Sequence, residues 1–126
     1  MNHMEVSQRA VEILRQFPEV QKLVLFGSVN KGDYRRDSDI DLAVICYDEW
    51  KSAMLDNEGY PQGLREEIDY SLCGLRQSSG IRLHVPIYWH QEFSEGIHLE
   101  SGKKEGSDLL HEVGSVVYDS EIEKDQ

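Results

Sequence analysis

Residues 26 to 44 read FGSVNKGDYRRDSDIDLAV, and this stretch decides the fold. It opens at the end of Lys22 to Phe26 (KLVLF), an apolar run too short for a helix and closed by Gly27, which reads as a buried strand. It closes inside Asp39 to Cys46 (DIDLAVIC), a second apolar run that predicts another strand. Between them SVNKGDYRRDS, rich in Gly, Asn, Asp, Ser and charge, predicts a loop. Asp39 and Asp41 stand two apart at the entrance of the second strand. Side chains two apart in a strand share a face, so both carboxylates project to one side.

Upstream, Ser7 reads as an N-cap, and Ala10, Ile13, Leu14 and Phe17 make one apolar helical face that Pro18 stops. Downstream, residues 47 to 63, with Asp56-Asn57-Glu58-Gly59 and Pro61, predict a loop with a helical portion. Leu64, Ile68, Leu72 and Leu75 recur at spacings that predict a second amphipathic helix, ended at Ser78-Ser79-Gly80. Ile81 to Trp89 (IRLHVPIYW) predicts a third strand, and Pro86 within it favours an edge position or a bulge. Residues 91 to 113 predict one or two short helices broken near Gly102 and Gly106, and Ser115 to Tyr118 a last strand. Residues 119–126 read as a frayed acidic tail. The expected fold class is α/β or α+β, a single domain over residues 1–126 with a small mixed sheet flanked by helices.

The chain has 126 residues, with 13 Lys plus Arg against 24 Asp plus Glu, a net charge of −11. A chain of this length buries roughly two thirds of its unfolded surface, so a core needs no disulfide or structural metal. The acidic balance argues against a general nucleic-acid binder, whose affinity comes from Lys and Arg releasing counterions. A cation partner fits better. The two cysteines, Cys46 and Cys73, read as reduced thiols without a special role. No apolar run approaches the roughly 18 residues of a membrane span, and no export signal opens the sequence. The expected location is the cytoplasm.

Two fixed carboxylates side by side repel each other unless a cation sits between them. Oxygen ligands suit Mg²⁺ or Mn²⁺, and Mg²⁺ characteristically takes one or two carboxylates plus substrate phosphates. Gly27 would let backbone N–H groups approach a phosphate, and the Ser28 hydroxyl adds a donor. The alternative for Asp39 and Asp41 is ordinary turn chemistry at a solvated strand entrance. Lys31, Arg35 and Arg36 either meet a triphosphate or offset Asp33 and Asp37.

Gly27-Ser28, ten residues, then Asp39-Ile40-Asp41 resembles the signature of the polymerase-β-like nucleotidyltransferase superfamily, particularly its minimal nucleotidyltransferases. Lys31-Gly32-Asp33, Arg35 and the run from Asp37 to Leu42 extend the similarity, which is strong over residues 8 to 46. The resemblance implies transfer of a nucleoside monophosphate from a nucleoside triphosphate, ATP being the expected one, to a hydroxyl acceptor, with pyrophosphate leaving. It implies that Gly27, Ser28, Lys31 and Arg35 hold the triphosphate and that Asp39 and Asp41 ligate Mg²⁺ or Mn²⁺. It further implies an acceptor on a small helical partner protein, in a toxin–antitoxin arrangement.

The family pattern also expects a third carboxylate on a later strand. Here that strand reads Ile81-Arg82-Leu83-His84-Val85, and His84 falls at the expected position. His84 is therefore the third catalytic candidate, as a general base or ligand, against the alternative of a strand residue satisfied by a backbone partner. Asp69 is an acidic substitute on the predicted helix, against a solvated helix face. His90, His98 and His111 lack metal-ligand spacing and read as surface residues. The missing carboxylate motivates a second expectation, a non-catalytic module that keeps the fold and docks to a partner. A phosphohydrolase using the same Asp pair is a third, marked by release of orthophosphate.

Overall fold

The computed structural model describes residues 1–54, 61–99 and 108–124. Helix α1 spans His3–Leu14 and is followed by strand β1, Val20–Phe26. A short helix α2, Gly27–Lys31, precedes β2, Ile40–Cys46. A turn of tight helix at Asp48–Trp50 leads into α3, Lys51–Met54, and the long helix α4 covers Gln62–Ser79. Strands β3 (Leu83–His84) and β4 (Ile87–Trp89) come next, then helices α5 (His90–Glu95) and α6 (Leu110–Val113). Strand β5, Ser115–Asp119, and helix α7, Ser120–Lys124, complete the described chain.

The mixed sheet expected from the sequence is present. Strand β1 pairs antiparallel with β2 on one side and β5 on the other, while β2 pairs parallel with β3 and β4. The alternation of side chains along β1 and β2 sorts the core into two layers. Leu23, Leu25, Leu42, Val44 and Cys46 face α1 and α4, where Val6, Ala10, Leu14, Leu64, Ile68 and Leu72 close over them. Val24, Phe26, Ala43 and Ile45 face the other way, toward Leu110 of α6 and the partly buried Phe93, Ile97 and Leu99. Asp41 shares the parity of Ala43 and Ile45, so it emerges on this second face. Among the described residues no helix is long and apolar enough to cross a membrane.

Several local expectations need correction. Ser7 is not an N-cap: α1 begins four residues earlier, capped by Asn2, whose side chain accepts from Glu5 N. Ser7 is buried in the helix and its hydroxyl donates to the His3 carbonyl. The helix ends at Leu14, before Phe17. The loop after β1 begins instead as helix α2, which Gly32 closes in the left-handed region at φ 82°. The single strand over 81–89 is two strands, because Pro86 has no N–H to donate; its carbonyl still accepts from Val44 N at 2.8 Å. The tail does not fray through Lys124, since α7 forms there and the buried Ser120 hydroxyl bonds Tyr47. The predicted turn at residues 56–59 and the breaks at Gly102 and Gly106 lie outside the described residues.

The third strand of the sequence reading owes its place to α4 as much as to the sheet. Ile40 N takes the Arg82 carbonyl at 2.9 Å and Val44 N takes that of Pro86, so the carbonyls of Leu83 and Val85 turn away from β2. Two arginines of α4 meet them there. Arg76 donates to the Leu83 carbonyl at 2.9 Å, and Arg65 donates to that of Val85. Asp69 accepts from both guanidinium groups, at 3.1 Å from Arg65 and 3.1 Å from Arg76. Asp69 thus ties two gripping side chains together and does not substitute for the missing carboxylate.

Candidate active site

The site is assembled where the ends of three strands meet. The antiparallel register sets Phe26 opposite Asp41, which brings Gly27 against the Asp41 carboxylate. Gly27 has φ +73°, and a Cβ there would lie 2.2 Å from Asp41 Oδ2. Only glycine permits both the backbone turn and the close approach. The parallel register sets Asp41 opposite His84. His84 Nδ1 lies 3.0 Å from Asp41 Oδ1. An ionised carboxylate only accepts, so Nδ1 carries the proton that faces Asp41, and Nε2 is the ring nitrogen left outside that contact.

Two residues before His84, and therefore on the same strand face, Arg82 places Nε 2.8 Å from Asp39 Oδ1. That oxygen is shielded from water, yet no donor is aligned on it for a hydrogen bond. The contact is one of charge rather than of directed bonding. The entrance to β2 is steadied from behind by His3, whose Nε2 donates to the Ser38 carbonyl at 2.9 Å and whose ring lies 4.8 Å from that of Tyr34. Ser38 Oγ in turn accepts from Arg35 N at 2.8 Å.

A cleft of about 640 Å³ opens on this face, lined by Gly27, Lys31, Asp41, His84, Tyr88 and Asp108 among others. Its size is that of an ordinary small-molecule site. Asp39 opens instead into an adjoining hollow of about 400 Å³ with Arg82, and His84 borders both. Ser28 and Arg35 do not line the cleft; Ser28 is half-buried in α2, and Arg35 is exposed on the following turn. Of the sequence candidates, Gly27, Lys31, Asp41 and His84 are therefore brought together, with Asp39 beyond His84.

Sequence reading missed three residues here. Arg82 was legible in principle, as a basic residue two positions from His84. His98, read as an ordinary surface residue, lines the cleft together with His84, as does Tyr88. Burial, and then the nearby Glu92, pushes the Tyr88 phenol above its usual range, so it stays protonated and able to donate. His90 is half-buried, with Nδ1 2.7 Å from Gln21 Oε1, and is a structural residue rather than a free surface one.

The donor set suits one hard cation. Asp39 Oδ1 faces the Arg82 guanidinium and Asp41 Oδ1 the His84 ring, and the second oxygen of each carboxylate is a hard donor of the kind such a cation takes. Among the described residues no group of three His, Cys, Asp or Glu side chains converges on a metal-sized space, so a cation held by this pair would complete its shell with substrate oxygens.

Residues 8–77 match the family model described as polymerase beta, nucleotidyltransferase. Eleven chains of known structure match. One is a mutant of the toxin–antitoxin MntA-HpeT, 18% identical, covering 94% of this chain and 77% of that one with a TM-score of 0.51. Another is a toxin–antitoxin with AMP-PNP, 17% identical, covering 98% and 78% with a TM-score of 0.50. A third, described as a nucleotidyltransferase from Sulfolobus solfataricus, is 16% identical over 94% and 81%, with a TM-score of 0.47. No curated protein matches the sequence.

Proposed function

We propose, from the premise that this chain belongs to the polymerase beta nucleotidyltransferase family, that it transfers a nucleoside monophosphate from ATP or another nucleoside triphosphate to a hydroxyl on a partner protein. One observation carries this reading: the strand register puts the Asp41 carboxylate between the Gly27 backbone and the His84 imidazole, at the mouth of a cleft that also takes Lys31. In the reaction the acceptor oxygen attacks the α-phosphorus, the bond to the β-phosphate oxygen breaks, and pyrophosphate leaves.

Asp39 and Asp41 would hold Mg²⁺ or Mn²⁺, which supplies neutralisation of the charge that develops on the phosphates. The remaining work falls to this chain's own groups. Gly27 lets the backbone come close to the triphosphate, and Lys31 brings a cation to the same cleft. The Nε2 lone pair of His84 can accept the acceptor's proton. The Tyr88 phenol offers a hydrogen bond within the cleft. Ser28 and Arg35, expected at the triphosphate, would have to reach it from outside the cleft walls.

The toxin–antitoxin complexes that share the fold support a protein acceptor, a partner of the pair, over a small molecule. A second reading is a docking module without transfer, favoured by Arg82 and His84 standing against the two aspartates where a third carboxylate is expected. Incubation with α-labelled ATP, Mg²⁺ or Mn²⁺ and the co-purified partner separates the readings. Transfer of label that Asp39→Asn with Asp41→Asn abolishes is expected. A partner that binds tightly and stays unlabelled by the native chain would establish the docking module instead.

A further inference from the structure

The family reaction is served by carboxylates enough for two metal ions, and this chain departs from that in a specific way. The strand that should bring the third negative charge brings two basic groups. Arg82 lies at 2.8 Å from Asp39, and His84 at 3.0 Å from Asp41. Each aspartate thus has one oxygen already facing a nitrogen of β3 or of the residue just before it. The remaining acidic residue lining the cleft, Asp108, lies in a different part of the chain and joins no three-membered group with the pair among the described residues.

We propose that this site takes a single divalent ion together with the triphosphate, and that Arg82 is the fixed cation standing where a second ion would act. The proposal rests on the nucleotidyltransferase reading above. Two divalent ions need a concentration of negative charge that offsets their mutual repulsion, and replacing a carboxylate by imidazole while adding a guanidinium removes it. Arg82 is four-fifths exposed, so its place on Asp39 comes from charge and not from packing. Its backbone is nevertheless held. The grip of Arg76 and Arg65 on the carbonyls of Leu83 and Val85 keeps the segment against β2, with both basic side chains on the rim that bears the aspartates. Arginine rather than lysine suits the role, because guanidinium is always charged and presents a planar fork to carboxylate or phosphate oxygens.

The test counts ions. Mn²⁺ binding is measured by electron paramagnetic resonance titration in the presence of a non-hydrolysable ATP analogue, for the native chain and for Arg82→Gln with His84→Asp. The native chain is expected to hold one Mn²⁺ per nucleotide. The double variant, which removes one positive group and adds the third carboxylate, is expected to hold two. Both substitutions are at exposed positions, and circular dichroism confirms that the variant is folded. Two ions per nucleotide in the native chain would overturn the proposal while leaving the nucleotidyltransferase reading intact, as would a folded double variant that still holds one. Absence of both nucleotide and ion from the native chain would overturn the reading itself.

Discussion

Strands β2 and β3 lie side by side and carry the two halves of the site, but they are held by different physics. Six of the seven residues of β2 have fully buried side chains between two core layers, and its backbone is paired on both edges. Strand β3 has two residues, lies at the sheet edge, and has its outer carbonyls bound by Arg65 and Arg76. Asp41 therefore sits on a strand buried between two core layers, with Asp39 just before it, while their basic neighbours sit on a segment held by a side-chain clamp. Such a division lets the aspartate-bearing half stay rigid while the chemistry of the other half is altered at small cost.

The largest expected effect tests the rigid half. Leu42→Ala removes a fully buried side chain from β2 and should lower stability by about 2–5 kcal/mol in urea unfolding. A loss below about 1 kcal/mol would show that the core does not anchor the strand as described. Next comes the clamp. Asp69→Ala unties both arginines, but the Asp69 side chain is 47% exposed, so a stability loss of only about 1 kcal/mol is expected. Its distinguishing sign is faster hydrogen exchange of the amides around Leu83–Val85, with those of β2 unchanged. Equal acceleration on both strands would break the contrast between them.

The smallest effect at neutral pH is read by the two thiols. Cys46 is buried on β2 and Cys73 is exposed on α4. A thiol reagent should label Cys73 readily and Cys46 only through opening of β2. Burial, and then Glu19, pushes the Cys46 thiol from 9.0 up to about 12. Because the folded value is raised, the stabilisation from the protonated thiol is complete below pH 9.0 and is lost as pH climbs toward about 12. The slope is at most about 1.4 kcal/mol per pH unit. Cys46→Ala should flatten that alkaline decline in urea midpoints, and an unchanged slope would contradict it.

Much of this protein was legible residue by residue. Short apolar runs carried the paired strands at Lys22–Phe26 and Asp39–Cys46, and recurrence at about 3.6 carried the apolar face of Leu64, Ile68, Leu72 and Leu75, while a strand's own side-chain period is two. The shared face of Asp39 and Asp41 follows from the same period. What local pattern could not supply were contacts between residues far apart in the chain. The start of α1 escaped because Ser7 bonds the carbonyl of His3 within the helix, where the same hydroxyl could equally have capped one. The role of Asp69 escaped because it depends on Arg65 and Arg76 reaching an edge strand that the helix pattern does not reveal.

The same limit separates the two halves of the site. The Gly27-Ser28 turn and the aspartate pair lie within one continuous stretch, so their spacing and pleat could be read directly from the chain. The partners of those aspartates could not. That Asp41 faces His84, and that Asp39 faces Arg82 in a hollow of its own, follows from the parallel register of β2 with a two-residue strand more than forty positions away. Register across a sheet is fixed by which side chains the two core layers accept, and that selection exists only once the whole chain has folded.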